Sequence, residues 1–142
     1  MNKLTHHTIA TLTQCQFRFE PAELKVLSSK ANPSEHEEQR AFISWWRKSM
    51  PNLWIFAVPN GGARSPSEAA RLKMEGVSAG VPDLFCPGLG LWIEFKRREG
   101  GWVSKEQKAW HAHLALLGYA VIVPRGADEA VQMVTKFINE YT

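Results

Sequence analysis

Gly80-Val81-Pro82-Asp83-Leu84-Phe85-Cys86, then Pro87-Gly88-Leu89-Gly90, then Leu91-Trp92-Ile93-Glu94-Phe95-Lys96 is the stretch around which the chain is organised. Two apolar runs of strand length flank a segment dense in proline and glycine, the pattern of a β-hairpin with a short connection. Each run carries charge that a plain core strand avoids: Asp83 in the first, Glu94 and Lys96 in the second. Side chains alternate faces along a strand, so Glu94 and Lys96 share one face while Ile93 and Phe95 share the other. Pairing across the turn brings Asp83 beside Glu94, and two carboxylates and an ammonium converge at the end of a small sheet. Hard oxygen donors of this kind suit Mg²⁺ or Mn²⁺. A cation there would polarise a phosphodiester and lower the pKa of a water, with Lys96 holding that water or offsetting transition-state charge. Taken singly, the same residues would pass for a solvated cross-strand pair and a turn aspartate. The Pro82-Asp83 approach, the 11-residue spacing to Glu94 and the strongly apolar neighbours favour a built site.

At 142 residues the chain is long enough for one domain with a real core and too short for two. Its apolar share of 44% and charged share of 22% are those of a globular protein, which excludes disorder as the default. A net charge of +3 suits a polyanionic partner without demanding one. Cys15 and Cys86 lie far apart, with neither a disulfide framework nor a zinc spacing. Thr5-His6-His7-Thr8 breaks any signal-peptide core, and no apolar run approaches spanning length, so the expectation is a cytoplasmic protein without a membrane partner.

Upstream, residues 1–33 read as an N-terminal arm or accessory segment, with a weak strand candidate at 8–19 and a short helix at 21–27. Asn32-Pro33-Ser34-Glu35 starts a helix, with Asn32 as cap and Pro33 at the first position, or Ser34 and Glu37 as a capping box in a shifted frame. Its buried stripe is Ala41, Phe42, Trp45, Trp46 and Met50; Pro51 ends it, and Leu53–Val58 reads as a buried strand. Pro59-Asn60-Gly61-Gly62 opens a loop with Arg64, and Ser65-Pro66-Ser67-Glu68 starts a helix reaching about Met74. That helix start could receive a phosphate or be no more than a capped turn. Beyond the hairpin, Arg97-Arg98-Glu99-Gly100-Gly101 is an exposed basic turn. Ser104 caps a helix whose inward positions are Trp110, Leu114 and Leu117. Ala120–Val123 is a short buried strand, and a last helix starting near Asp128 turns Ala130, Val131, Val134, Phe137 and Ile138 inward. The order gives an α/β fold, a mixed four-stranded sheet flanked by helices.

This order and these residues resemble the PD-(D/E)XK nuclease superfamily, with its restriction-endonuclease-like αβββαβ core, and within it the VRR-NUC (virus-type replication-repair nuclease) family. The resemblance runs from about Ser34 to Tyr141, making 34–142 the nuclease domain. It is carried by Pro59-Asn60-Gly61-Gly62, Gly80-Val81-Pro82-Asp83-Leu84, Ile93-Glu94-Phe95-Lys96, Ser104-x-x-Gln107 and Gly118-Tyr119 in order. It implies Mg²⁺-dependent phosphodiester hydrolysis on DNA, with Asp83 and Glu94 as metal acids, the Phe95 carbonyl as a backbone ligand and Lys96 as the catalytic lysine. An acid on the first helix completes many such sites; Glu35 fits best and Glu38 is the alternative. Gln107 resembles the family's supporting glutamine, although a capping partner for Ser104 explains it equally well. Small stand-alone members are common in bacteriophages and include dimeric four-way-junction resolvases. That likeness implies branched DNA such as a Holliday junction as substrate, a homodimer, and the cytoplasm of a bacterial or phage-infected cell.

Arg64, Arg97 and Arg98, with Asn60, are the expected DNA contacts, chiefly to phosphates that carry no sequence information. His111 and His113 diverge on their helix, which argues against a shared metal. Trp45, Trp46, Trp54, Trp92 and Trp110 sit in apolar patterns and read as core, whereas Trp102 lies in the glycine-rich loop after the hairpin and invites a test against DNA. Two functions remain open: a metal-dependent endodeoxyribonuclease, or a nucleic-acid-binding module that keeps the fold without cleaving. The intact Asp83, Glu94 and Lys96 favour the enzyme.

Overall fold

A computed structural model of the protein describes residues 31–140. The strand and helix read into residues 8–27 lie outside the described residues. Helix α1 (Glu35–Ser49) starts at Ser34, whose hydroxyl accepts from Glu37 N while the Glu37 carboxylate accepts from Ser34 N at 2.9 Å. The shifted frame therefore holds, and Pro33 precedes the cap. The reciprocal box satisfies two backbone N–H groups that an Asn32 start would leave open. Phe42, Trp45, Trp46 and Met50 make the buried face of α1. The Trp46 indole donates to Leu53 O at 2.7 Å, turning the chain back after Pro51.

Four strands follow: β1 (Phe56–Ala57), β2 (Leu84–Cys86), β3 (Leu91–Ile93) and β4 (Ala120–Ile122). They line up in that order, antiparallel between β1, β2 and β3 and parallel between β3 and β4. Helix α2 (Pro66–Met74) joins β1 to β2, and helix α3 (Lys105–Leu116) makes the crossover from β3 to β4 that a parallel pair requires. Helix α4 (Ala127–Asn139) closes the fold against α1. One sheet face, with Leu84, Cys86, Leu91 and Ile93, packs on α1 and α4 through Phe42, Trp46, Val131 and Val134. This is the mixed four-stranded α/β architecture read from the sequence.

Three expectations about burial need correction. Leu53–Val58 is not a buried strand: only Phe56–Ala57 pairs, both residues are exposed, and Trp54 is 83% exposed. β4 is half-buried and ends at Ile122. On α3 Leu114 is buried, Trp110 is half-buried and Leu117 is exposed. For the two strands the cause is shared. Among the described residues β1 and β4 are the edges of the sheet, each with one neighbouring strand, and a run of apolar residues marks a strand without telling an edge from a centre. On the second face Phe56, Phe85 and Trp92 stand in register, with Trp92 stacked 4.3 Å from Phe85 and Tyr119 edge-on to it. Trp92 is thus a half-buried member of an aromatic ladder.

Candidate active site

The hairpin register Leu84↔Ile93 sets Asp83, just before β2, and Glu94, just after β3, at the same end of the sheet. Continued one pair further, it puts Pro82 opposite Phe95. Proline has no N–H to offer, so the ladder stops there. The Phe95 N–H donates instead to Asp83 Oδ2 at 2.7 Å, and the Phe95 carbonyl, on the same strand edge, loses the donor a regular ladder would supply. The local chemistry of Pro82-Asp83 thus holds one carboxylate in place and frees a backbone oxygen beside it.

Glu94 is 2% exposed and carries two donors on one oxygen: Lys96 Nζ at 2.9 Å and Gln107 Nε2 both donate to Oε1. Its Oε2 is buried and has no hydrogen-bond partner among the described residues. Burial above all, and then the negative charge of Asp83, push the Glu94 carboxyl up to about 7; Lys96 pulls against that shift and Glu35 adds to it. The Asp83 carboxyl is also raised, again chiefly by burial, with the Phe95 N–H and Lys96 opposing. Two acids that resist ionising together, one with an orphaned buried oxygen, form a site short of positive charge.

The two readings of Gln107 are both true. Its Oε1 accepts from Ser104 N at 2.8 Å as the capping box requires, and its Nε2 reaches Glu94. One carboxamide therefore fixes the start of α3 and orients the carboxylate. Gly80 sets how close α3 can come. At φ +87° its missing Cβ would stand 2.5 Å from Glu106 C and 2.7 Å from Gln107 N. Gly80→Ala is expected to displace the start of α3, destabilise the protein by about 2 kcal/mol or more, and take Gln107 off Glu94. Urea unfolding checks the first effect; recovery of stability without activity in a stabilised background would show the second.

Glu35 and Glu38 part company. Glu35 Oε1 accepts from Arg97 N at 3.3 Å, and its charge acts on both Asp83 and Glu94. Glu38 is fully buried elsewhere, accepting from Arg98 Nε and from Ala127 N, each at 2.7 Å. Gly126 caps α4 with no side chain, so the Glu38 carboxylate serves as that cap from another helix. Arg98, expected on phosphate, has its guanidinium held by Glu38 and by Asp128 at 3.4 Å; the basic turn is partly folded inward. The Arg97 side chain is exposed and makes no ion pair among the described residues. Asn60 Nδ2 donates to Val81 O at 2.8 Å, tying the glycine loop to the strand that delivers Asp83. Arg64 bonds the loop carbonyls of Pro59 and Gly61 and lines a cleft of about 680 Å³ with Asn60, Lys73 and Glu106.

Two residues hold positions that the sequence reading did not assign them. His111, one turn beyond Gln107 on α3, is kept neutral by burial and by the charge of Lys96, and its Nε2 finds no partner among the described residues. The i, i+4 spacing from Gln107 could have revealed it. Arg125 donates to Arg97 O at 3.3 Å and Gly101 O at 3.0 Å, fastening the loop after Lys96; a lone arginine in a loop gave no signal.

Among the described residues no three acidic, imidazole or thiol groups close tightly enough on one point to form a full protein ligand set. The donors present fit a hard divalent cation that keeps part of its hydration shell: Asp83, the free oxygen of Glu94 and the Phe95 carbonyl. Imidazole and thiolate preferences are absent from this set, which argues against zinc.

No protein-family model matches the sequence, and no curated protein does. A solved structure, a VRR_NUC domain protein, is similar to this chain with a TM-score of 0.62 and 26% sequence identity, covering 75% of this chain and 89% of its own.

Proposed function

We propose that this nuclease-fold domain of VRR-NUC type is a divalent-metal-dependent endodeoxyribonuclease. The observation that carries the reading is the buried, unpartnered Oε2 of Glu94 beside Asp83 and Lys96. A binding module without chemistry has no need to bury a carboxylate with one oxygen unsatisfied, which costs on the order of 1–3 kcal/mol. Asp83, Glu94 and the Phe95 carbonyl would hold Mg²⁺ or Mn²⁺, which supplies Lewis-acid polarisation of the phosphodiester. Lys96, its Nζ anchored on Glu94, presents a fixed positive charge to the phosphoryl oxygens as they gain charge. Gln107 keeps Glu94 from rotating, and Glu35, held by the Arg97 backbone, is the third acid, placed to orient or accept a proton. Arg64 and Arg97 are the proposed phosphate contacts; Arg98 supports the turn that carries Arg97.

The substrate we propose is branched DNA, cut by a homodimer, as in the likeness to junction resolvases. One site cuts one strand, and paired incision needs two sites related by a two-fold axis. No helix among the described residues is long and apolar enough to cross a membrane. The test is cleavage of end-labelled linear duplex, flap and four-way junction in EDTA, Mg²⁺ and Mn²⁺, alongside the mass in solution. No cleavage of any substrate with either cation, while DNA still binds, would leave the binding module. A monomer that cuts linear duplex as fast as the junction would remove the structural preference alone.

The raised Glu94 carboxyl sets a pH dependence. A group protonated up to about 7 must lose its proton to receive a cation. Apparent Mn²⁺ affinity is therefore expected to fall about tenfold from pH 8 to pH 6, with proton release measurable by calorimetry at pH 6 and nearly absent at pH 8. The same shift acts on stability with opposite sign. The folded state holds this proton more tightly than the unfolded chain, so the cation-free protein loses stability as pH rises from about 4.5 through about 7. A flat affinity between pH 6 and 8 would remove Glu94 from the cation.

A further inference from the structure

We propose that Trp102 stacks on an unpaired base beside the scissile phosphate and so selects DNA whose bases are open at the point of cleavage. The proposal rests on the nuclease reading above and names what its site would recognise. Trp102 is 86% exposed. The other tryptophans near the centre of the fold are spent on packing or bonding: Trp45 and Trp46 in the core, Trp92 stacked on Phe85, Trp110 with its indole N–H on Ser78 Oγ. Leaving an indole in water forfeits the burial that its large apolar surface would supply and keeps its face open to a stacking partner.

The mount of Trp102 is rigid and lies against the site. Gly101 is buried; a Cβ there would stand 3.0 Å from Arg97 N and 3.1 Å from Lys96 Cβ, so the loop backbone rests directly on the strand that carries Lys96. Arg125 clamps this approach through the Gly101 and Arg97 carbonyls. On the far side Ser104 caps α3, whose Gln107 reaches Glu94. Trp102 therefore sits between a residue touching Lys96 and the helix start that orients Glu94. A side chain presented on a fixed loop loses little freedom on binding. An indole face stacks on any base, but within a paired helix each base is already stacked on both sides, so only an unpaired or terminal base can accept it. Backbone contacts through Arg97 would then position the strand, and Trp102 would read its openness rather than its sequence.

The experiment measures binding of the full chain, in Ca²⁺ at one fixed salt concentration, to a gapped duplex and to a fully paired duplex of equal length. Wild type, Trp102→Ala, Trp102→Phe and Trp54→Ala are compared, and cleavage of both DNAs in Mn²⁺ is followed in parallel. Trp54 is also exposed, but it lines the groove with Trp46 and Met50 beyond the opposite end of α1 from Glu35, a helix about 20 Å long. Trp102→Ala is expected to weaken gapped-DNA binding about 10-fold or more and paired-duplex binding less than 2-fold, with Trp102→Phe near wild type and Trp54→Ala unchanged on both. Equal loss on the two DNAs, no loss on either, or the same effect from Trp54→Ala would overturn it. A selective loss of gapped-DNA binding without cleavage by any variant would sink the nuclease reading and leave Trp102 standing. Cleavage that persists with an unmoved preference would do the reverse, and a wild type that binds neither DNA would end both.

Discussion

Replacing Lys96 by alanine is expected to slow strand cleavage by about 10²-fold or more while DNA binding and the fold persist. Lys96 is 5% exposed, and its ammonium lies 2.9 Å from Glu94 Oε1. A fixed charge in a dry site acts on developing phosphoryl charge far more strongly than one in water, and losing such a donor typically costs about 3–4 kcal/mol of transition-state stabilisation. The fold tolerates the change because Glu94 is already half-way to neutral: without Lys96 its carboxyl moves further up and takes a proton. Glu94→Gln and Asp83→Asn should lose cleavage to a similar degree, through the cation rather than the ammonium. Single-turnover rates on the best DNA substrate, with circular dichroism as the control for folding, decide the matter. Turnover near wild type in Lys96→Ala would remove the mechanism.

Glu38→Ala should do the opposite, destabilising the domain by about 3–5 kcal/mol, whatever its effect on rate. The carboxylate is fully buried, and its loss leaves Arg98 without its main partner and Ala127 N without an acceptor at the start of α4. Breaking a buried pair from one side strands a charge, which is the costly case. A domain of this size holds only about 5–15 kcal/mol in total, so a large fraction of its stability rides on one side chain. Urea midpoints of Glu38→Ala and Glu35→Ala separate the two acids: Glu35→Ala should unfold near wild type and cleave poorly. A wild-type midpoint for Glu38→Ala together with lost cleavage would transfer the third-acid role to Glu38.

The hairpin was legible because alternation and turn chemistry are local, and they place Asp83 across from Glu94 from the sequence alone. Residues whose roles depend on contacts distant in sequence were harder to read. Glu38 meets Arg98 and Ala127, 60 and 89 positions away, and nothing around Glu38 itself distinguishes it from an ordinary solvated helix acid. Arg98, beside Arg97 and Glu99, looks like surface charge until that partner is known. Gln107 presented two explanations because a carboxamide has two ends, and the fold uses both. The burial of β1 and β4 was overestimated because apolar runs do not reveal which strands lie at the rim of a sheet.

Helix α2 buries none of its residues, and it makes no substantial packing contact with another element among the described residues. What happens in residues 66–74 is therefore almost invisible to the packing of the other described elements. Substitutions there escape the penalty that a packed core imposes on Phe42 or Ile93, so this segment can be exchanged, lengthened or recharged while the carboxylates stay where they are. Selection, or an engineer, could retune the shape and charge of the cleft beside Arg64 by rewriting this helix alone, leaving Asp83 and Glu94 untouched.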